Sequence, residues 1–280
     1  VVVNPDPRMV LVAATRRWPT VNLDVSPGVV KIPVVGLEVQ DVALRFNRAA
    51  MYPYARFDIG SIDNIPDSGP CILVGNHRSY FDVSAMSLVI AKRGRPARFL
   101  GKKEVFDAPI VGQVAAAMGG IRVDRATGSD EPLQAAADAL AGGEMVVMMP
   151  EGTIPRGPAF FDPVLRGRWG AARLAQMTGA PVVPVGLWGT EKVWPRSNRL
   201  PNMLNFTEPP VVRVRVGPPV KLKGKSLDAD TKRIMKGIVA QLPDVAREER
   251  TPTRDELLAT FPPGYSGDPE QEFTRRPGED

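Results

Sequence analysis

The sequence predicts an α/β domain: a largely parallel central sheet flanked by helices. Three observations carry this. From about residue 36 to residue 242, short runs rich in Val and Ile, bounded by Gly or Pro, alternate with longer amphipathic stretches. Those longer stretches end in glycine, the residue that closes helices in a left-handed C-cap. With 43% apolar residues in a chain of 280, there is enough material for a sizeable core.

Residues 1–35 fall into short β-like pieces broken by proline, "VVVNPDPRMV" and "RRWPTVNLDV", and read as the remnant of a preceding domain or a linker. The start at Val1, with neither an initiator methionine nor a signal-peptide pattern, is what a chain cut from something longer would have. Next, "GLEVQDVALRFNRAAMYPYARF" mixes Leu37, Val42, Leu44, Phe46 and Tyr52 with Arg45, Arg48 and Arg56. That composition suits an interfacial helix and a core-facing one equally well. The strand-like runs are "PCILVG", "ARFL", "GGIRVD", "EMVVMMP", "APVVPVGLWG" and "PPVVRVRVG". Between them, "FDVSAMSLVIAKRG", "DEPLQAAADALAGGE" and "GRWGAARLAQMTG" carry helical spacing and trailing glycines. Residues 243–280 are rich in Pro, Glu, Arg and Asp and are expected to form a loosely held tail.

A formal charge of +5 favours anionic partners but does not choose among phosphorylated metabolites, lipid headgroups, acidic carriers and nucleic acid. The lone Cys71 lies in an apolar run, so it is expected to be a buried strand thiol in a reducing, intracellular setting. The uncharged run Ala108 to Ile121 falls short of the ~18 residues a spanning helix needs.

His77 is the only histidine. It follows a strand, Gly75 and Asn76, and precedes an amphipathic stretch, which places it at the carboxyl end of a strand, where open α/β sheets bind ligands. Asp82 stands five positions on, within reach of a histidine in the loop before the helix if it occupies the first turn. Such a pair has the parts of a general base and its orienter. Ser79 and Asp82 also carry the spacing of a helix capping box, and the two readings stay open on spacing alone.

Two later stretches lie past predicted strands on the same rim. "MGGIRVDRATG" offers Arg125, either a solvated surface arginine or a planar fork for phosphate. "MMPEGTIPRG" offers Glu151, Gly152 and Thr153, with Glu151 aimed at a polar substrate or serving as a helix N-terminal acid.

The sequence "NHRSYFD", "GGIRVDR", "PEGT" and "APVVPVG", in this order and spacing, resembles the blocks of the 1-acylglycerol-3-phosphate acyltransferase family over roughly Tyr54 to Val220. The resemblance implies a domain that docks on the cytoplasmic face of a membrane as a peripheral protein. It would move a fatty acyl group from a thioester, acyl-CoA or an acyl carrier protein, to a hydroxyl of 1-acylglycerol-3-phosphate or glycerol-3-phosphate in phospholipid biosynthesis. It further implies that His77 is the general base and Asp82 its orienter, that Arg125 and Lys102 hold the acceptor phosphate, and that Glu151, Gly152 and Thr153 shape the acceptor pocket. No metal or resident cofactor is expected, because an alcohol can attack a thioester directly once a base takes its proton. The N-terminal piece resembles the end of a haloacid-dehalogenase-like phosphatase domain.

The sequence departs from the family twice. Ile154 follows "EGT" where the family has arginine, with Arg156 two positions on as the expected substitute ligand, and Arg122 stands where the family favours an aromatic. Another lysophospholipid or glycolipid acceptor therefore remains an alternative, as does a catalytically silent lipid-binding module. The basic stretch "AKRGRPARFLGKK" is expected to attract anionic lipid or an acidic carrier, or to be a solvated loop. With only Phe99 interleaved, a nucleic-acid partner is not expected.

Overall fold

The computed structural model describes residues 54–107, 116, 120–123, 130–202 and 207–270. The chain divides into residues 1–35 and 36–280, and every described residue lies in the second unit. The phosphatase-like N-terminal piece, most of the possible interfacial helix, Arg125 and the last ten residues of the tail thus lie outside the described residues.

The strands are β1 (Arg56–Gly60), β2 (Cys71–Gly75), β3 (Ala97–Lys102), β4 (Ile121–Val123), β5 (Met145–Met148), β6 (Val182–Trp188) and β7 (Val211–Val216). They form one seven-stranded sheet in the order β1-β7-β6-β2-β5-β3-β4. Every neighbouring pair is parallel except β6 with β7. The fold is α/β with a largely parallel sheet. β1 was not foreseen, because "RFDIG" carries charges and sits on an edge where one side needs no apolar cover. Pro184 is tolerated in β6 because it stands one residue outside the ladder with β7, which begins at Val185 paired with Val216.

The helices are α1 (Asp82–Arg93), α2 (Lys103–Asp107), α3 (Glu131–Ala141), α4 (Gly170–Thr178), α5 (Thr190–Val193), α6 (Leu227–Val239) and α7 (Arg254–Ala259). The sheet is covered on both faces. Cys71, Leu73, Met145 and Val147 pack with Met86, Val89 and Ile90 of α1, while Ile72, Val74, Val146 and Met148 meet Leu140 of α3, Leu174 of α4 and Ile234 of α6. Alternation along a strand sends successive side chains to opposite faces, so β2 and β5 are buried throughout. Each buried aliphatic side chain contributes about 1.5–3 kcal/mol. Cys71 is fully buried, and burial pushes its thiol up to about 12.

The tail departs from its expected looseness. Through residue 270 it holds α7, whose capping box joins Thr253 and Glu256, and it buries Leu257 and Phe261. Thr260 Oγ1 accepts the Gly157 N–H at 2.7 Å, and the Ala259 carbonyl accepts the Ser197 N–H at 3.3 Å. Polar composition masked a short amphipathic helix that covers the loop after β5.

The basic stretch is engaged in the fold. Arg93 meets Asp67, Arg98 forms a two-pronged pair with Glu144 at 2.6 and 2.9 Å, and Lys103 pairs with Asp107 at 3.0 Å. Arg95 donates to the Pro66 carbonyl at 2.6 Å. Acids absent from the stretch in sequence approach it in space.

Candidate active site

The loops after β2, β5 and β6 meet at one rim, because these strands are parallel neighbours. The loop after β2 is fixed first. Asn76, buried at Gly75's end of the strand, donates from Nδ2 to the Leu187 carbonyl at 2.9 Å and accepts the Leu187 N–H at 2.7 Å. Its side chain extends the β2–β6 ladder by one step with an amide in place of a peptide.

His77 comes next. Its Nδ1 lies 2.8 Å from Oδ2 of Asp82, the first residue of α1. Asp82 is fully buried, whereas a fifth of the His77 side chain is exposed. The same Oδ2 accepts the N–H groups of Arg78 at 2.6 Å and Ser79 at 2.8 Å. A carboxylate only accepts, so Nδ1 carries the proton and Nε2 keeps its lone pair. Both readings of Asp82 are therefore realised at one atom, except that Ser79 Oγ turns away to accept the Phe81 N–H at 3.0 Å and donate to the Trp194 carbonyl at 2.6 Å.

Glu151 reaches the same loop from β5. Its Oε1 accepts the His77 N–H at 2.6 Å, and the carboxyl is buried. Burial pushes its pKa up to about 8, against the lowering effects of the His77 N–H and of Arg78. Gly152 turns the chain with a φ of 74°, in the left-handed region, and donates its N–H to the Met149 carbonyl at 2.9 Å. Thr153 is half-buried beside it, and Ile154 is buried in the core.

Arg78 lies between two rings, its Cζ 4.1 Å from the Phe160 centroid and 4.3 Å from that of Trp188. It also pairs with Glu191, Nε to Oε2 at 3.2 Å. A cleft of about 580 Å³ opens beside Glu151 between Pro155, Phe161, Val164 and Leu165. A second, of about 340 Å³, is lined by Arg78, Phe160, Trp188, Glu191 and Arg196.

Residues 56–188 match the family model described as Acyltransferase. The matched stretch runs from β1 through β6. The chain is 29% identical over 174 residues to the chloroplastic 1-acyl-sn-glycerol-3-phosphate acyltransferase BAT2 of Brassica napus, a match covering 61% of this chain and 47% of that protein. It is 29% identical over 149 residues to the chloroplastic 1-acyl-sn-glycerol-3-phosphate acyltransferase LPAT1 of Arabidopsis thaliana, covering 52% and 40%. The chain thus spans less than half the length of these plant relatives. Among solved structures, the 1-acyl-sn-glycerophosphate (LPA) acyltransferase PlsC of Thermotoga maritima shares the fold, with a TM-score of 0.54 and 24% identity over 71% of this chain and 76% of that one.

Within the matched residues, His77, Asp82 and Glu151 are joined by direct hydrogen bonds. Lys102 ends β3, on the same rim but beyond β5, and is exposed. Arg125 lies outside the described residues, just past β4. Arg156 is half-buried, extended, and precedes the turn Gly157–Phe160 that supplies the Phe160 ring to Arg78. Sequence reasoning did not single out Asn76, Arg78 or Arg196 as site residues. An asparagine just before the histidine was a visible signal, since a buried amide must find partners; the other two gave none.

Proposed function

We propose that the protein is an O-acyltransferase that moves a fatty acyl group from a thioester to a hydroxyl of 1-acylglycerol-3-phosphate or a closely related glycerophosphate, with His77 as general base. The observation that carries this reading is the 2.8 Å contact between His77 Nδ1 and the buried Asp82, which leaves Nε2 as the free acceptor.

In this mechanism Nε2 takes the proton of the acceptor hydroxyl as its oxygen bonds to the thioester carbonyl carbon. Asp82 opposes the positive charge that appears on the ring. When the tetrahedral intermediate collapses, the C–S bond breaks, and the imidazolium returns its proton to the leaving thiolate. No covalent acyl-enzyme is required. Cys71 is unsuited to carry one, being buried in β2 with a thiol near 12. Glu151 holds the main chain of His77, and the apolar walls of the larger cleft suit an acyl chain. Lys102, Arg125 and Arg156 are the cations proposed to face the acceptor phosphate. The reaction takes place at a membrane surface, where both the lipid acceptor and its product reside; among the described residues no helix is long and apolar enough to cross a membrane.

The test is transfer of a labelled acyl group from acyl-CoA, in detergent, to lysophosphatidic acid, glycerol-3-phosphate and a neutral lysolipid. Transfer to a phosphate-bearing acceptor that disappears in His77→Ala is the expected outcome. A folded parent that binds acyl chains but transfers none would make the domain a lipid-binding module.

A further inference from the structure

We infer that Arg250 is a specificity-determining residue: with Phe161 it forms a partition between the two clefts beside the His77 loop, and this partition sets how long an acyl chain the larger cleft takes. Phe161, Leu165 and Arg250 line both clefts and therefore lie between them. On one side the larger cleft reaches Glu151, which holds the His77 main chain; on the other, the smaller cleft reaches Arg78, the next residue. Arg250 Cζ sits 4.6 Å from the centre of the Phe161 ring, and Phe161 meets Phe160 edge-on at 5.1 Å. Phe160 in turn lies 4.1 Å from Arg78. A row of two rings, closed at each end by a guanidinium, thus runs from the residue after His77 to the tail.

Arg250 is fixed by its own segment. Its guanidinium forms a two-pronged pair with Glu256, 2.9 Å for each prong, and Glu256 Oε2 also accepts the Thr253 N–H at 2.8 Å at the head of α7. An exposed pair of this kind adds little to stability. What it does is hold a planar cation over an aromatic face, where the guanidinium and the ring attract each other. The larger cleft is otherwise walled by Pro155, Pro158, Val164 and Pro252, and its volume of about 580 Å³ is of the size that takes a small organic ligand. An apolar chain laid along this wall from the His77 end stops where the ring and the guanidinium close it. Arg250 and Glu256 lie outside residues 56–188, the stretch that matches the family model, so the limit belongs to this chain's tail.

The choice of ligand rests on the acyl-transfer reading above, in which a thioester donor carries one fatty acyl chain and a lysophosphatidic acid acceptor another. Displacement of cis-parinaric acid from the full chain, by saturated acyl-CoAs and by lysophosphatidic acids of increasing chain length, tests it without requiring turnover. Affinity for the parent should rise about fourfold with each methylene until the chain meets the partition, and then level off. Phe161→Ala and Arg250→Ala should each move that limit to longer chains, so that a chain just past the parent's limit binds on the order of tenfold more tightly. The double variant should move it no further than the larger single shift, because both side chains close one opening. A shift among acyl-CoAs assigns the cleft to the donor chain, and a shift among lysophosphatidic acids assigns it to the acceptor chain. If circular dichroism shows Phe161→Ala unfolded, Arg250→Ala carries the test, since that side chain is 42% exposed. A parent without a limit, or variants that keep the parent's limit in both series, would overturn the partition even in an active enzyme. A limit that moves in a protein without transferase activity would instead leave the partition standing and reject the proposed reaction.

Discussion

The side chain of Asn76 is hydrogen-bonded to both main-chain groups of Leu187, at 2.9 and 2.7 Å, and so fastens the residue before His77 to the neighbouring strand. Asn76→Ala strands a buried N–H and a buried carbonyl on β6, which costs about 1–3 kcal/mol for each group. A fall in thermal midpoint together with a kcat loss that exceeds any change in KM is expected. Asn76→Asp keeps the acceptor and loses the donor, so its stability should fall between the two. A variant with parental stability and parental kcat would show that the loop is held by other means.

Asp82→Asn separates orientation from charge. The main-chain N–H groups of Arg78 and Ser79 select the amide oxygen at the Oδ2 position, so Nδ1 keeps its acceptor and the ring its tautomer. What disappears is the charge opposite the forming imidazolium, and kcat should drop about 10²–10³-fold. A rate near that of the parent would leave Asp82 with the helix start alone.

Glu151 makes stability depend on pH. Its folded pKa of about 8 stands above the ordinary value of 4.5, so the folded protein binds the extra proton between these limits. Stability should fall as pH rises from about 4.5 towards 8 and level off above it. Glu151→Gln retains an oxygen for the His77 N–H and should flatten this slope. Urea midpoints at intervals between pH 5 and 8.5 measure both curves; parallel curves would show that another group carries the dependence.

Phe261 is buried at 1% exposure in a segment whose composition is that of a loose tail. Phe261→Ala should cost about 3–5 kcal/mol, as a large aromatic deletion does in a core. Limited proteolysis is expected to cut the variant near α7 before any other described element. An unchanged midpoint would mean that α7 adds little to the fold.

The sequence disclosed what depends on near neighbours. Both limits of α1 were readable, with Asp82 at its head and Gly94 closing it at a φ of 70°, and spacing put Asp82 within reach of His77 without deciding between a pair and a helix start. Gly179, at 68°, ends α4 in the same way. The direction of β7 was not readable, since alternation of apolar residues carries no sense of direction. Nor was the Asn76–Leu187 pair, whose members stand 111 residues apart. Nor was the contact of Arg196 with the Ile154 carbonyl, whose positions stand 42 residues apart.

One oxygen of Asp82 serves both the entry to α1 and the imidazole of His77. Fraying of the first helical turn and loss of the base are therefore a single event. In hydrogen exchange, the amides of Arg78 and Ser79 should open with a free energy that also sets the fraction of enzyme competent for turnover. Mild denaturant or a warmer assay would then silence the enzyme by local opening well before the sheet melts. The usual interchangeability of Ser, Thr, Asn and Asp at helix starts is withdrawn here, since only an acid can both hold the helix entry and oppose the charge of the forming imidazolium.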